Sequence, residues 1–239
     1  MPIRAVLFDM FDTLMMIEKD HEFYNPAVKS MHQHIVKSGV PVTFSEFREA
    51  YIKARDLIYE KADATLEEPH FNVRVQNALN ELGFIEEAKS KIVQGATEAF
   101  YQKFMDYVRI DENAVSVLED LHESYNLGVV SNFAIPECVE ELLEREKINQ
   151  LFNVVIVSGG VNRRKPNPDI FSYALNKIQI SAAEAIFVGD TVDADVIGPK
   201  QLGIKTIYID RRPQKELEQN QPDYIIKKLS ELTNIVKQF

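Results

Sequence analysis

From residue 127 onward the chain alternates short apolar runs rich in Val and Ile, at 127–131, 153–157, 185–188 and 205–209, with helical periodicity near 135–147, 168–178 and 193–202. Strands separated by helix-length connections pair in parallel, because only a long crossover returns the chain to the same end of the sheet. Helices on both faces then bury such strands completely, which explains apolar runs without polar alternation. The pattern predicts an α/β fold with a doubly wound parallel sheet and right-handed crossovers. An earlier apolar run at 3–8 reads as a further buried strand, and 222–226 as a last strand followed by a closing helix from residue 230.

Between the first strand and this alternating region the pattern turns helical. Asn25-Pro26 opens a helix, Val28, Met31, Ile35 and Val36 follow at helical spacing, and Gly39 stops it. Thr43 with Glu46 three residues on predicts a capping box, ahead of a face carrying Phe47, Tyr51, Ala54, Leu57 and Ile58. After a break at 67–70, Val75, Leu79 and Leu82 repeat the helical spacing up to Gly83, and 85–105 reads as a further helical stretch. The expected organisation is an α/β core from residues 1–17 and 106–239, with a helical insert at 18–105.

A chain of 239 residues with 45% hydrophobic content can bury a sizeable core. Its formal charge of -10 argues against nucleic acid or an anionic membrane as a partner, and requires a local positive site for any anionic ligand. The single Cys138 excludes an internal disulfide and a cysteine-based zinc site, and reads as a small buried helix residue. No signal-like N-terminus and no membrane-length apolar run stand out, so a cytoplasmic protein, monomer or homodimer, is expected. The histidines, His21, His32, His34, His70 and His122, show no convincing metal-ligand spacing.

Open parallel sheets present chemistry at the carboxyl ends of their strands, and four segments lie there. Asp9 ends the run 3–8; a carboxylate so situated can attack phosphorus or carbon, or it can simply cap the next turn. Ser131 and Asn132 follow the run at 127–130, where a hydroxyl and backbone N–H groups can hold a phosphoryl or carboxylate oxygen, or start a helix. Lys165 lies in Arg163-Arg164-Lys165-Pro166-Asn167-Pro168, a concentration of cations whose backbone two prolines restrict. Arg163 and Arg164 read as surface charges. Asp190, Asp193 and Asp195 repel one another unless a cation is close. Mg²⁺ suits such a set, since it takes oxygen ligands and commonly one or two carboxylates with water and substrate phosphate. The plainer reading of Asp190 and Asp193, capping of the next helix, does not account for three acids together.

Taken in order, Asp9-Met10-Phe11-Asp12-Thr13, Ser131-Asn132, Lys165-Pro166 and Gly189-Asp190-Thr191-Val192-Asp193-Ala194-Asp195 resemble the motifs of the haloacid dehalogenase-like (HAD) hydrolase superfamily. The resemblance implies a Rossmann-like core with a bundle-type helical cap, Asp9 as nucleophile, and Lys165 neutralising both nucleophile and anionic substrate. It further implies that Ser131 and Asn132 hold the transferred group. Mg²⁺ would lie on Asp9, Asp190 and the backbone carbonyl of Phe11, with Asp195 ordering the metal site from behind or pairing with Lys165.

One position departs from that pattern. Most phosphatases of the superfamily read Asp-x-Asp-Gly-Thr, and their second Asp protonates the leaving group, a contribution of ~10²–10⁴ in rate. Phe11 cannot do this. Asp12 is adjacent, but neighbouring side chains of an extended chain point to opposite sides. The L-2-haloacid dehalogenase branch carries Tyr at this position and needs no metal, yet its Ser-Asn fourth motif is Gly189-Asp190-Thr191 here and its Tyr after Lys-Pro is Phe171. The expected activity is therefore a Mg²⁺-dependent phosphatase acting on a small phosphorylated metabolite through an aspartyl-phosphate on Asp9. A metal-free dehalogenase and a phosphate-ligand binding protein are the alternatives. Substrate choice should rest with the insert, where Phe23, Tyr24, Phe71, Asn72 and Arg74 near its breaks could face the cleft or simply pack.

Overall fold

The computed structural model describes residues 2–18, 22–211 and 221–239. Strands β1 (Ala5–Phe8), β4 (Asn126–Ser131), β5 (Val154–Val157), β6 (Ala185–Gly189), β7 (Lys205–Ile209) and β8 (Tyr224–Ile226) form one parallel sheet in the order β5-β4-β1-β6-β7-β8. Strand β1 lies centrally, its Phe8 level with Val129 of β4 and Val188 of β6. All four of its residues are buried because the pleat sends Val6 and Phe8 into one core layer and Ala5 and Leu7 into the other.

The helices of the insert are α1 (Tyr24–Lys37), α2 (Phe44–Thr65), α3 (Asn72–Glu81) and α4 (Lys91–Met105). Helix α1 packs on α4 and α2 on α3. At the start of α2 the Thr43 hydroxyl accepts the Glu46 N–H while the Glu46 carboxylate accepts the Thr43 N–H. Flanking the four helices, β2 (Met15–Ile17) pairs antiparallel with β3 (Val108–Ile110), a two-stranded junction too short to stand out in the sequence. Expected positions 19–21, His21 among them, lie outside the described residues.

Some details differ from the sequence reading. Leu57 and Val36 are 52% and 42% exposed, because each sits on the outer side of its helix. The stretch 85–105 breaks at Ser90, whose hydroxyl accepts the Ile92 N–H and caps a new helix. Residues 193–202 are not one α-helix but a π-helical turn, Val192–Ile197, followed by one short turn, Gly198–Lys200; Pro199 has no N–H to continue an α ladder. Helix α5 (Ala114–His122), ahead of β4, was not anticipated.

The remaining core helices are α6 (Pro136–Arg145), α7 (Ser158–Val161), α8 (Pro168–Ile178), α9 (Gly198–Lys200) and α10 (Leu232–Val236). The segment joining α2 to α3 fastens the insert to them. Leu66 O accepts the Arg164 N–H at 2.9 Å, Glu67 pairs with Arg163 at 3.3 Å, and the Phe71 N–H donates to Ala134 O at 2.9 Å. His70 accepts the Asn72 N–H on Nδ1 and so presents Nε2–H to Glu137, 3.0 Å away. Among the described residues no helix is long and apolar enough to cross a membrane.

Gly128 of β4 lets Leu7 and Val154 close over the middle of the sheet, since a Cβ there would lie 2.6 Å from a methyl carbon of each. The variant Gly128→Ala should be destabilised by about 1–3 kcal/mol through overpacking, read as a lower urea midpoint with an unchanged slope.

Candidate active site

The sheet delivers the candidate residues to one edge. The Asp9 N–H continues the parallel ladder by donating to Val188 O at 2.8 Å, and the chain then turns sharply, with both Leu14 and Met15 N–H on Met10 O. Asp12 takes a left-handed conformation at φ 58 in this turn, and its Oδ1 accepts the Ile17 N–H at 3.3 Å. Thr13 is fully buried and donates its hydroxyl to Asp9 Oδ2 at 3.4 Å. The Phe11 ring leaves the acids for an aromatic cluster, 4.8 Å from the Phe133 ring and 5.5 Å edge-on to Phe104 of α4.

Lys165, only 2% exposed, reaches between two of these strand ends. Its Nζ donates to Asp9 Oδ1 at 2.6 Å and to Asp195 Oδ1 at 2.7 Å, and lies 5.0 Å over the Phe187 ring. Asp195 Oδ2 accepts the Thr191 N–H at 2.9 Å. Gly189 makes room for that carboxylate, since a Cβ there would lie 2.4 Å from it. Asp190 completes a buried trio in which ligand oxygens of Asp9, Asp190 and Asp195 lie within 4.8 Å of one another.

Asn132 takes a different part from the expected one. Its Oδ1 accepts the Lys165 N–H at 2.7 Å and its Nδ2 donates to Lys165 O at 2.9 Å, so the amide is spent on holding the lysine backbone. Ser131, at the end of β4, is 1% exposed, and its hydroxyl has no hydrogen-bond partner. Leaving such a group unmet costs about 1–3 kcal/mol, which a bound oxygen would recover.

Burial and charge oppose one another here. Desolvation works against the charge on Lys165, but the carboxylates of Asp195 and Asp9 outweigh it and raise its pKa, so the ammonium persists. Burial pushes the Asp195 carboxyl up to about 6 against the pull of Lys165. Asp190 is pushed up to about 7, first by desolvation and then by Asp9, Asp195 and Asp12, against a smaller pull from Lys165. Lys165 pairs with Asp9 and Asp195, while Asp190 brings a third carboxyl to the same buried cluster.

A cavity of 510 Å³ opens over this cluster, with Asp9, Phe11, Asp12, Lys165 and Asp190 in its wall. A second, of 690 Å³, lies under the insert and is lined by aromatic rings and arginines. Asn132 and Arg164 border both. Arg164 is thus half-buried at their junction rather than the surface charge that the sequence suggested, because its N–H is bonded to Leu66 O beneath the insert. Its adjacency to Lys165 was the one available signal. Phe23, Tyr24, Phe71 and Arg74 line the second cavity; Asn72 instead accepts the Thr97 hydroxyl at 2.6 Å.

The model of a protein family described as haloacid dehalogenase-like hydrolase matches residues 6–209. The chain is 28% identical to a glyceraldehyde 3-phosphate phosphatase of Methanopyrus kandleri, over 99% of this chain and 98% of that one. A solved HAD phosphatase from Thermococcus onnurineus is similar at 25% identity and a TM-score of 0.66, covering 98% of each chain. A 2-haloacid dehalogenase from Pseudomonas syringae shares the fold at a TM-score of 0.71 and 22% identity, covering 99% of each.

The raised pKa of Asp190 carries a stability consequence. Between an unfolded value near 4 and about 7 the folded chain keeps a proton that the unfolded chain releases, so stability falls as pH rises across that window. In EDTA, Asp190→Asn should therefore melt at a higher temperature than the native chain at pH 8, with a smaller gain at pH 5. Calorimetry at the two pH values checks this; an equal gain at both would refute the assignment.

Proposed function

Since the chain belongs to the haloacid dehalogenase-like hydrolases, we propose that it is a Mg²⁺-dependent phosphatase of a small phosphorylated metabolite, with Asp9 as nucleophile. The observation that carries this reading is the buried trio of Asp9, Asp190 and Asp195, two of whose members grip the Lys165 ammonium. A metal-free dehalogenase has no use for Asp190, whose charge would oppose a haloacid carboxylate. The phosphatase names of the relatives support the same reading.

The donor set fits Mg²⁺. Its all-oxygen character suits a hard cation, and its carboxylate oxygens already lie within 4.8 Å of one another. Asp9, Asp190 and the Phe11 carbonyl would hold the ion, with Asp195 kept behind them by Lys165 and the Thr191 N–H. When bound, the ion neutralises charge on the transferring phosphoryl group.

The reaction then follows from the side chains. Asp9 attacks phosphorus, its new O–P bond forming as the bond to the leaving oxygen breaks. Lys165 orients Asp9 and offsets charge on the phosphoryl oxygens. The Ser131 hydroxyl donates to one of those oxygens. Water next attacks the phosphorus of the aspartyl-phosphate, releasing phosphate and restoring Asp9.

Protonation of the leaving oxygen is what Phe11 withdraws. Asp12 lines the cavity, but its Oδ1 is held by the Ile17 N–H. Leaving groups of low pKa need no such proton, so aryl and acyl phosphates are the favoured substrates. With Mg²⁺, kcat/KM for phenyl phosphate should exceed that for a simple alkyl phosphate by about a hundredfold or more. EDTA or Asp9→Asn should abolish phosphate release from both. Equal rates on the two esters would reject the leaving-group argument, and metal-independent release would reject the Mg²⁺ reading.

A further inference from the structure

The 690 Å³ cavity under the insert is charged against the trend of the chain. Among the described residues Arg48, Arg55, Arg74 and Arg164 line it with one carboxylate, Glu68, although the protein carries 27 Lys and Arg against 37 Asp and Glu. Arg74 is the buried member, 5% exposed. Its Nη1 donates to the Tyr59 hydroxyl at 3.2 Å, and its guanidinium stacks 4.7 Å from the Tyr59 ring and 5.2 Å from the Phe71 ring. These contacts fix the plane of the fork.

The other edge of that fork is unmet. Arg74 Nε is buried without a hydrogen-bond partner, and Nη2 has only Glu68 Oε1, 3.9 Å away and beyond hydrogen-bond range. Glu68 is held back from it by the Ser158 hydroxyl, which donates to Glu68 Oε2. Burial works against the guanidinium charge, but the Tyr59 and Tyr51 hydroxyls and then the Glu68 carboxylate outweigh it and raise the Arg74 pKa. A second orphan, the buried Tyr51 hydroxyl, lines the same space. A parallel Nε–H and Nη2–H pair matches the two oxygens of a planar carboxylate.

We infer that the leaving group of the natural substrate has an apolar body and ends in a carboxylate that docks on the Nε/Nη2 edge of Arg74. The inference rests on the phosphatase reading for the word "leaving group", while the anion site itself stands on the cavity. Phe23, Phe71, Phe100 and Phe133 supply the apolar wall, and Arg164 at the junction of the two cavities favours a dianionic molecule threaded through it.

The test uses unreactive probes in Mg²⁺: ω-phosphonoalkanoates with two to eight methylenes, alkylphosphonates of matched length, and α,ω-alkane bisphosphonates, each titrated calorimetrically. One chain length should bind the native protein about tenfold to a hundredfold more tightly with the carboxylate than without it, the range expected for a buried charge-assisted pair. Arg74→Gln should lose that gain while binding the alkylphosphonates within about twofold of native. Arg74→Lys, which keeps the charge but not the fork, should retain only part of it. No gain at any length, or a gain that survives in Arg74→Gln, would overturn the proposal. Tighter binding of the bisphosphonates would overturn the carboxylate in favour of a second phosphoryl group. If no ester is hydrolysed yet the Arg74-dependent gain persists, the phosphatase reading falls and the anion site stands.

Discussion

The buried ammonium of Lys165 is the constraint to which the carboxyl edge of the sheet is built. A lone charge there would cost several kcal/mol in lost hydration, and two carboxylates at 2.6 and 2.7 Å offset that cost. Meeting it requires the ends of β1 and β6 to come together with the loop after β5. It also requires Asn132 to grip the lysine backbone on both its N–H and its carbonyl, and Gly189 to leave space for Asp195. The acids gathered around Lys165 make the same cluster suited to the cation of the proposed reaction, so the features that hold Lys165 would also prepare that chemistry.

Much of this was legible in the sequence because strand burial and site chemistry both leave local marks. The run at 3–8 is apolar at every position since both faces of β1 are covered, and Asp9 is conspicuous as the acid that ends it. The capping box at Thr43 and the separate acids at 190 and 195 are equally local. What escaped notice depends on partners far along the chain. Asn132 looked like a ligand for substrate because its bonds run to residue 165, and Arg164 looked solvated because Leu66 covers it. The β2–β3 ribbon has strands of three residues whose pairing joins positions about ninety apart, which no window of periodicity can see.

Phe11 shows how one position can serve packing and chemistry in opposition. A carboxylate there would face the cavity as a proton donor; an aromatic ring instead joins Phe133 and Phe104, binding the first loop of the core to α4 of the insert. The loss of a donor is tolerable only if the leaving oxygen departs as a stable anion. An apolar, aromatic-walled cavity next to that loop is suited to the molecules that can do so.

The two cavities meet at Asn132 and Arg164, and their walls have different owners: the first belongs almost wholly to the ends of the sheet, the second largely to the helices of the insert. Scission at phosphorus would leave one fragment on each side of that boundary. Any parting of the insert from the sheet, through release of Leu66, Glu67, His70 and Phe71 from their core partners, would then draw the fragments away from each other. Such a parting would oppose recombination of the two products.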